Sequence, residues 1–177
     1  MSIVPRAKPE ISYDECVEMG RDNRLDVMTY LMGIRGFFNP GANERGVYDD
    51  ALVIVDPLDF LTFNANTDPS RLGRGLASLK APQICYYRMG IHNITKEPIR
   101  RYEALVQAAP VTVLRDGLAN VDRGWFGINI HRGGVNTPGS EGCQTLPPDQ
   151  WVEFINKIRD ILHMRKMKEI PYLIVEV

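Results

Sequence analysis

At 177 residues the chain is long enough for one domain with a substantial core and short for two. Hydrophobic residues make up 44% and charged residues 24%, and 21 Lys and Arg against 22 Asp and Glu leave a net charge of −1. That balance gives no electrostatic footprint for nucleic acid, and no basic stripe with interleaved aromatics supplies one locally. No window approaches the roughly 18 apolar residues of a membrane span. Cys16, Cys85 and Cys143 are odd in number and widely spaced, so they spell neither a disulfide framework nor a C-x-x-C metal knuckle.

In chain order, Ser12-x-x-Glu15 has the spacing of a capping box and predicts a helix start. Cys16, Met19, Asn23, Val27 and Tyr30/Leu31 then recur at three- to four-residue steps, which predicts a helix running to Gly33–Gly36 and makes residues 1–36 an N-terminal helical appendage. Cys16 on that apolar face reads as a core thiol. Residues 37–46 are turn-rich. Ala51–Val55 reads as a buried strand stopped by Asp56-Pro57, and Phe60–Phe63 as its returning partner. Asn64–Gly75 is polar and glycine-bearing and predicts an exposed loop, with Arg71, Arg74 and Lys80 on a solvated face.

From Pro82 the text turns to short β-type runs, "QICYYRMG", "EALVQA", "VTVLRDG", "WFGINIH", "GCQTL" and "YLIVEV", with Gly, Pro and Asp between them. Pro148–Lys166 carries the apolar stripe Trp151, Phe154/Ile155, Ile158, Ile161/Leu162, with acids early and Arg165 and Lys166 late, as a helix dipole prefers. His163 on that helix reads as surface. The expectation is one domain over residues 1–177 of α+β class: a mostly antiparallel β-sheet core with an N-terminal and a C-terminal helix, residues 51–177 forming the β-rich catalytic core.

One passage carries chemistry. "NIHRGGVNTPGSEGCQTLPP" places one of three histidines and one of three cysteines around a glycine-rich loop. A cysteine attacks as thiolate and therefore needs a base, for which histidine is the usual choice. Strand alternation puts Asn129 and His131 on one face and Ile128 and Ile130 on the other. "GCQTL" pairs alongside as the next strand, and the amides around Gly142, Cys143 and Gln144 are candidate oxyanion donors. His92 either approaches this site or is an exposed loop histidine.

His131 followed by Ser140-x-Gly142-Cys143 resembles the signature of the L,D-transpeptidase catalytic domain, the YkuD-like fold, a histidine followed by Ser/Thr-x-Gly-Cys. The resemblance covers residues 86–145 loosely and 131–145 closely. It implies a β-rich domain acting on peptidoglycan stem peptides at meso-diaminopimelate through a thioacyl enzyme and without a cofactor. It also implies Cys143 as nucleophile, His131 as base, and Ser140 and Gly142 as shaping the loop and oxyanion site; Gln144, from its place at the turn, is added as oxyanion and loop support. Asn129, Arg132 and His92 are candidate substrate-binding residues. Glu141, Gln144-Thr145 and Arg132 depart from the family's usual His or small residue, Arg or Asn, and Gly or Ser, which leaves the acyl acceptor and exact substrate open.

The opening MSIVPRAKPE has no apolar core, so the expectation is synthesis in the bacterial cytoplasm without a signal peptide and action in the periplasm or cell wall. A wall-degrading enzyme of phage or interbacterial-effector type fits that expectation, carried by a holin or secretion machinery and matched by an immunity protein. The alternatives are a transpeptidase proper, a zinc peptidase with His92, His131 and Cys143 as ligands, and a non-catalytic wall-binding module.

Overall fold

The computed structural model describes residues 3–177. In chain order its elements are α1 (Tyr13–Asp22), β1 (Tyr30–Arg35), β2 (Asp50–Val55), β3 (Leu61–Ala65), β4 (Ala77–Leu79), β5 (Gln83–His92), β6 (Tyr102–Gln107), β7 (Val111–Arg115), β8 (Val121–Gly124), β9 (Ile130–Arg132), β10 (Gln144–Leu146), α2 (Pro148–Arg165) and β11 (Ile170–Glu176). Eight strands form one sheet in the order β10-β9-β6-β5-β11-β1-β2-β3, and β4-β7-β8 form a second. All ladders are antiparallel except β1 with β11 and β9 with β10. The α+β class with a mostly antiparallel core is what the sequence predicts.

The large sheet is covered on both faces. On one side α2 lays Trp151, Phe154, Ile155, Ile158, Ile161 and Leu162 over Leu31, Leu52, Ile54, Phe63 and Ile174. On the other, Cys16 and Leu25 pack on Tyr30, Met32, Ile34, Val53, Val55 and Leu173. Among the described residues no helix is long and apolar enough to cross a membrane.

The first helix is shorter than its periodicity predicts. The capping box forms, with Ser12 Oγ accepting from the Glu15 amide and the Glu15 carboxylate accepting from the Ser12 amide. The helix ends at Asp22, where Asn23 caps it and Nδ2 of Asn23 donates to the Met19 carbonyl at 2.8 Å. Tyr30–Arg35 is instead a fully buried strand between β2 and β11. A strand buried on both faces shows a continuous apolar run rather than alternation, and such a run is indistinguishable from a buried helix by period. The helix expected to run to Gly33–Gly36 thus gives way from Tyr30 to a strand in the sheet interior.

The exposed loop predicted over Asn64–Gly75 begins later than expected. Asn64 and Ala65 end β3, and Asn66, Thr67 and Asp68 are buried. Their polarity is spent internally. Asn66 exchanges both backbone hydrogen bonds with Thr145 at 2.9 Å, and the Thr67 amide and hydroxyl donate to Asp50 at 2.6 and 2.8 Å. Burial pushes the Asp50 carboxyl up to about 7. Arg71, Arg74 and Lys80 are exposed, as expected.

Candidate active site

β9 and β10 lie side by side in parallel, Gln144 opposite Ile130 and Thr145 opposite His131. Parallel neighbours need a connection of about a dozen residues, and the eleven from Gly133 to Cys143 provide it. Tyr48 donates to the Gly134 carbonyl at 2.8 Å, and Ser70 holds residue 140 twice, its amide donating to the Ser140 carbonyl and its hydroxyl accepting from the Ser140 amide, both at 2.8 Å.

The loop closes on a turn that only glycine can make. Gly142 has φ +137°, and a Cβ there would lie 2.3 Å from the Ala77 carbonyl oxygen. Ser140 is buried and clamps this turn: its Oγ accepts from the Gly142 amide at 2.9 Å and donates to the Cys143 carbonyl at 2.7 Å. Gln144 supports it from the core, its Nε2 donating to the Gly142 carbonyl at 3.2 Å and its Oε1 accepting from Tyr172 at 2.8 Å. Tyr172 reaches that position because Gly33 has no Cβ, which would sit 1.9 Å from the phenol oxygen.

These bonds revise the expected oxyanion set. The Gly142 amide is engaged by Ser140 and the Gln144 amide donates to the Asn129 carbonyl at 2.9 Å. Of the three candidate amides, that of Cys143 alone is without a partner among the described residues. Ser140 and Gln144 are thus loop supports, through their side chains, rather than oxyanion donors.

"WFGINIH" is a ladder strand only at its end. Gly127 at φ +67° bends the chain, and the Gln107 side chain takes the place of a partner strand. Its Oε1 accepts from the Phe126 and Ile128 amides at 3.1 and 3.3 Å, and its Nε2 donates to the Ala109 and Gly124 carbonyls, both at 2.9 Å. Ile128 and Ile130 face the core as predicted, while Asn129 and His131 both reach His92.

His131 is buried rather than pointing to solvent. Its Nδ1 lies 2.8 Å from the Arg132 carbonyl, and a carbonyl only accepts, so Nδ1 carries the proton and Nε2 the lone pair. The Tyr102 hydroxyl, 3.2 Å from Nδ1, is equally 3.2 Å from the Arg132 oxygen and donates there. His92 ends strand β5 rather than sitting in a loop, and its ring stacks on His131 at 4.0 Å with an 18° interplanar angle. Asn129 Nδ2 lies 3.3 Å from His92 Nδ1. Burial, then the neighbouring His92, pushes His131 down to about 4, against the pull of the Arg132 carbonyl. Burial lowers His92 as well. Arg132 is exposed and stacks its guanidinium 5.1 Å over the Tyr102 ring.

Cys143 is partly exposed, whereas Cys16 and Cys85 are buried. Its Sγ accepts from the Asn129 amide at 3.4 Å and lies 3.5 Å from the Gly127 carbonyl, with no hydrogen bond to either histidine among the described residues. The register sets Cys143 level with Asn129, two residues before His131, and the resting thiol is bonded to backbone. Burial and then the Glu141 charge push the Cys143 thiol up to about 11, against the Asn129 amide. The thiol and the imidazole are therefore both neutral at pH 7.

The thiol opens into a cavity of about 410 Å³ lined by Ala77, Arg115, Phe126, Gly127, Glu141 and Gly142 among others. A second cavity of about 580 Å³, lined by Ile91, Ile94, Val106, Trp125 and Asn129, shares Gly127 with the first as a lining residue. No motif in the sequence points to Gln107, Ser70, Tyr102, Tyr172 or Arg115, because each reaches the site from a distant element. Among the described residues no group of three or more His, Cys, Asp or Glu is arranged to hold a metal ion. Face-to-face stacking of His92 and His131, with both Nδ1 atoms engaged, gives the zinc arrangement no geometric support.

Fold and site together define an α+β domain with a cysteine on a glycine turn, a neutral histidine on the adjoining strand and an amide left free at the thiol. No family model matches the chain, and no curated protein or solved structure matches it.

Proposed function

We propose that the protein is a cysteine peptidase or transpeptidase of the L,D-transpeptidase type, acting on peptidoglycan stem peptides through a thioacyl intermediate. The observation that carries the reading is the Cys143 amide, without a partner among the described residues, on a residue that lines a cavity, which puts a nucleophile and an oxyanion donor on one residue. Substrate entry turns Sγ from the Gly127 carbonyl toward His131. Nε2 of His131 then takes the thiol proton as sulfur attacks the peptide carbonyl. A C–S bond forms, the C–N bond breaks, and the imidazolium returns its proton to the leaving amine. Water or a second amine resolves the thioester, giving hydrolysis or transpeptidation respectively.

The resting pair is neutral rather than a thiolate–imidazolium pair, so the base works during attack. His131 is suited to this: its Nδ1 is tied to Arg132 and its Nε2 lone pair is free at neutral pH. The test is mass spectrometry of muropeptides released from diaminopimelate-type sacculi by the native protein and by Cys143→Ala. Loss of terminal residues or cross-links with the native protein alone supports a peptidase, and new L,D cross-links support a transpeptidase. Identical profiles overturn the proposal.

A further inference from the structure

A cavity of about 440 Å³ that Cys143 does not line gathers three side-chain oxygens with no hydrogen-bond partner among the described residues: Asn43 Oδ1, Asp68 Oδ1 and Ser78 Oγ. Asp68 is only 3% exposed and Ser78 8%, so these are buried polar groups rather than surface ones. A network of bonds holds them in place and leaves those atoms over. Asn43 Nδ2 donates to Asp68 Oδ2 at 2.8 Å, and Arg45 Nε lies 3.3 Å from the same oxygen. Buried Arg35 donates through Nη2 to the Thr67 and Leu79 carbonyls, at 2.9 and 3.1 Å, and so fixes side by side the residues next to Asp68 and Ser78. A buried polar atom without a partner costs stability, and three on one cavity call for an explanation.

The atoms left over define what binds. An amide oxygen and a carboxylate oxygen only accept and a hydroxyl does both, so the ligand must donate. Burial pushes the Asp68 carboxyl up to about 6, against the pull of Arg45 and Arg35, so at pH 7 it is mostly ionised and accepts. Charge on the wall is already matched: Arg35 pairs with Glu176, Arg45 with Asp68 and Asp116, and Arg115 with Asp122. An ammonium would face three guanidinium groups, an anion would meet two acceptors, and neither finds an unpaired opposite charge to offset its desolvation. A neutral ligand with several hydroxyl donors meets neither obstacle. We propose that this cavity is a saccharide-binding site, in which hydroxyls of one hexose ring donate to Asn43 Oδ1 and Asp68 Oδ1 and pair with Ser78 Oγ. Its volume is in the range of small-ligand pockets, and Gly41 and Ala42, exposed where they line it, give access from solvent. The site owes nothing to the chemistry at Cys143, and a hexose carries the same hydroxyls whether free or as a unit of a glycan.

The test is titration of the isotope-labelled full chain with D-glucose, N-acetyl-D-glucosamine, maltotetraose and tetra-N-acetylchitotetraose, followed through amide chemical shifts, with lysine and inorganic phosphate as charged probes. At least one sugar should bind with a Kd in the millimolar range or tighter and shift the amides of Asn43, Asp68 and Ser78. Binding of a tetraose alone supports the site as one for a glycan, and binding of a monosaccharide as well supports it as one for a free sugar. Ser78→Ala removes a hydroxyl that the fold leaves unpaired, so Tm should hold or rise while sugar affinity falls about 2- to 10-fold, the worth of one hydrogen bond. A lower Tm for Ser78→Ala would show that the hydroxyl is used by the fold, and that result overturns the proposal, as does an unchanged sugar affinity. Absence of binding by all four sugars, shifts confined to residues around Cys143, or binding of lysine or phosphate without any sugar overturns it equally.

Discussion

Ser140→Ala isolates the clamp on the Cys143 turn. It deletes one accepted and one donated hydrogen bond, at 2.9 and 2.7 Å, in a site where Ser140 is 4% exposed. Each bond is worth about 1 kcal/mol net, and the buried Gly142 amide left unpaired costs about 1–3 kcal/mol more. The sum is about 3–5 kcal/mol, or a fall in Tm on the order of 6–20 °C for a domain of this size. Urea unfolding should show a lower midpoint with an unchanged slope, because the fold and its buried area are otherwise kept. Under the proposed function the freed Cys143 carbonyl lets its amide drift from the oxyanion position, and kcat should drop by about 10- to 100-fold with KM little changed. A midpoint within about 0.5 kcal/mol of native, together with an unchanged kcat, would show that the serine does not hold the turn.

Two further outcomes concern protonation. Alkylation of Cys143 by iodoacetamide should climb about tenfold per pH unit from neutrality toward its pKa of about 11, since reactivity follows the thiolate fraction; a plateau below pH 7 would instead reveal an ion pair with His131. For stability the sign is opposite to that of a paired histidine. The folded pKa of His131, about 4, lies below the ordinary imidazole value of 6.5, so the unfolded chain binds the proton first as pH falls. Its contribution is whole above pH 6.5 and drains away toward pH 4, about 3 kcal/mol in all. His131→Asn should lose that slope, so the stability difference between native and variant should shrink as pH falls from 6.5 to 4, and a pH-independent difference would mean that the ring is not buried neutral.

Much of the site is legible along the chain because its parts are local. His131 falls on β9 and Cys143 immediately before β10, the two strands joined by a connection of the length that parallel strands need, and Gly142 stands where no Cβ fits. The errors arise where environment overrides pattern. Tyr30–Arg35 reads as the end of a helix because burial on both faces erases the strand's alternation, and Asn66–Asp68 reads as exposed because sequence does not show which polar groups find partners inside. The amides at Gly142 and Gln144 look equivalent to that of Cys143 until the hydrogen bonds are counted.

The sequence by itself determined the α+β class, the short β-rich runs, the capping box of Ser12 and Glu15, the amphipathic second helix and the residue types of the thiol loop, since each depends on spacing within one segment. Only the tertiary structure decided that β1 is interior, that His92 stacks on His131, that Gln107 replaces a missing strand and that Arg115 shares a cavity with Cys143. Those are contacts between residues far apart in the chain. Their existence depends on how whole faces bury one another, and no local period encodes it.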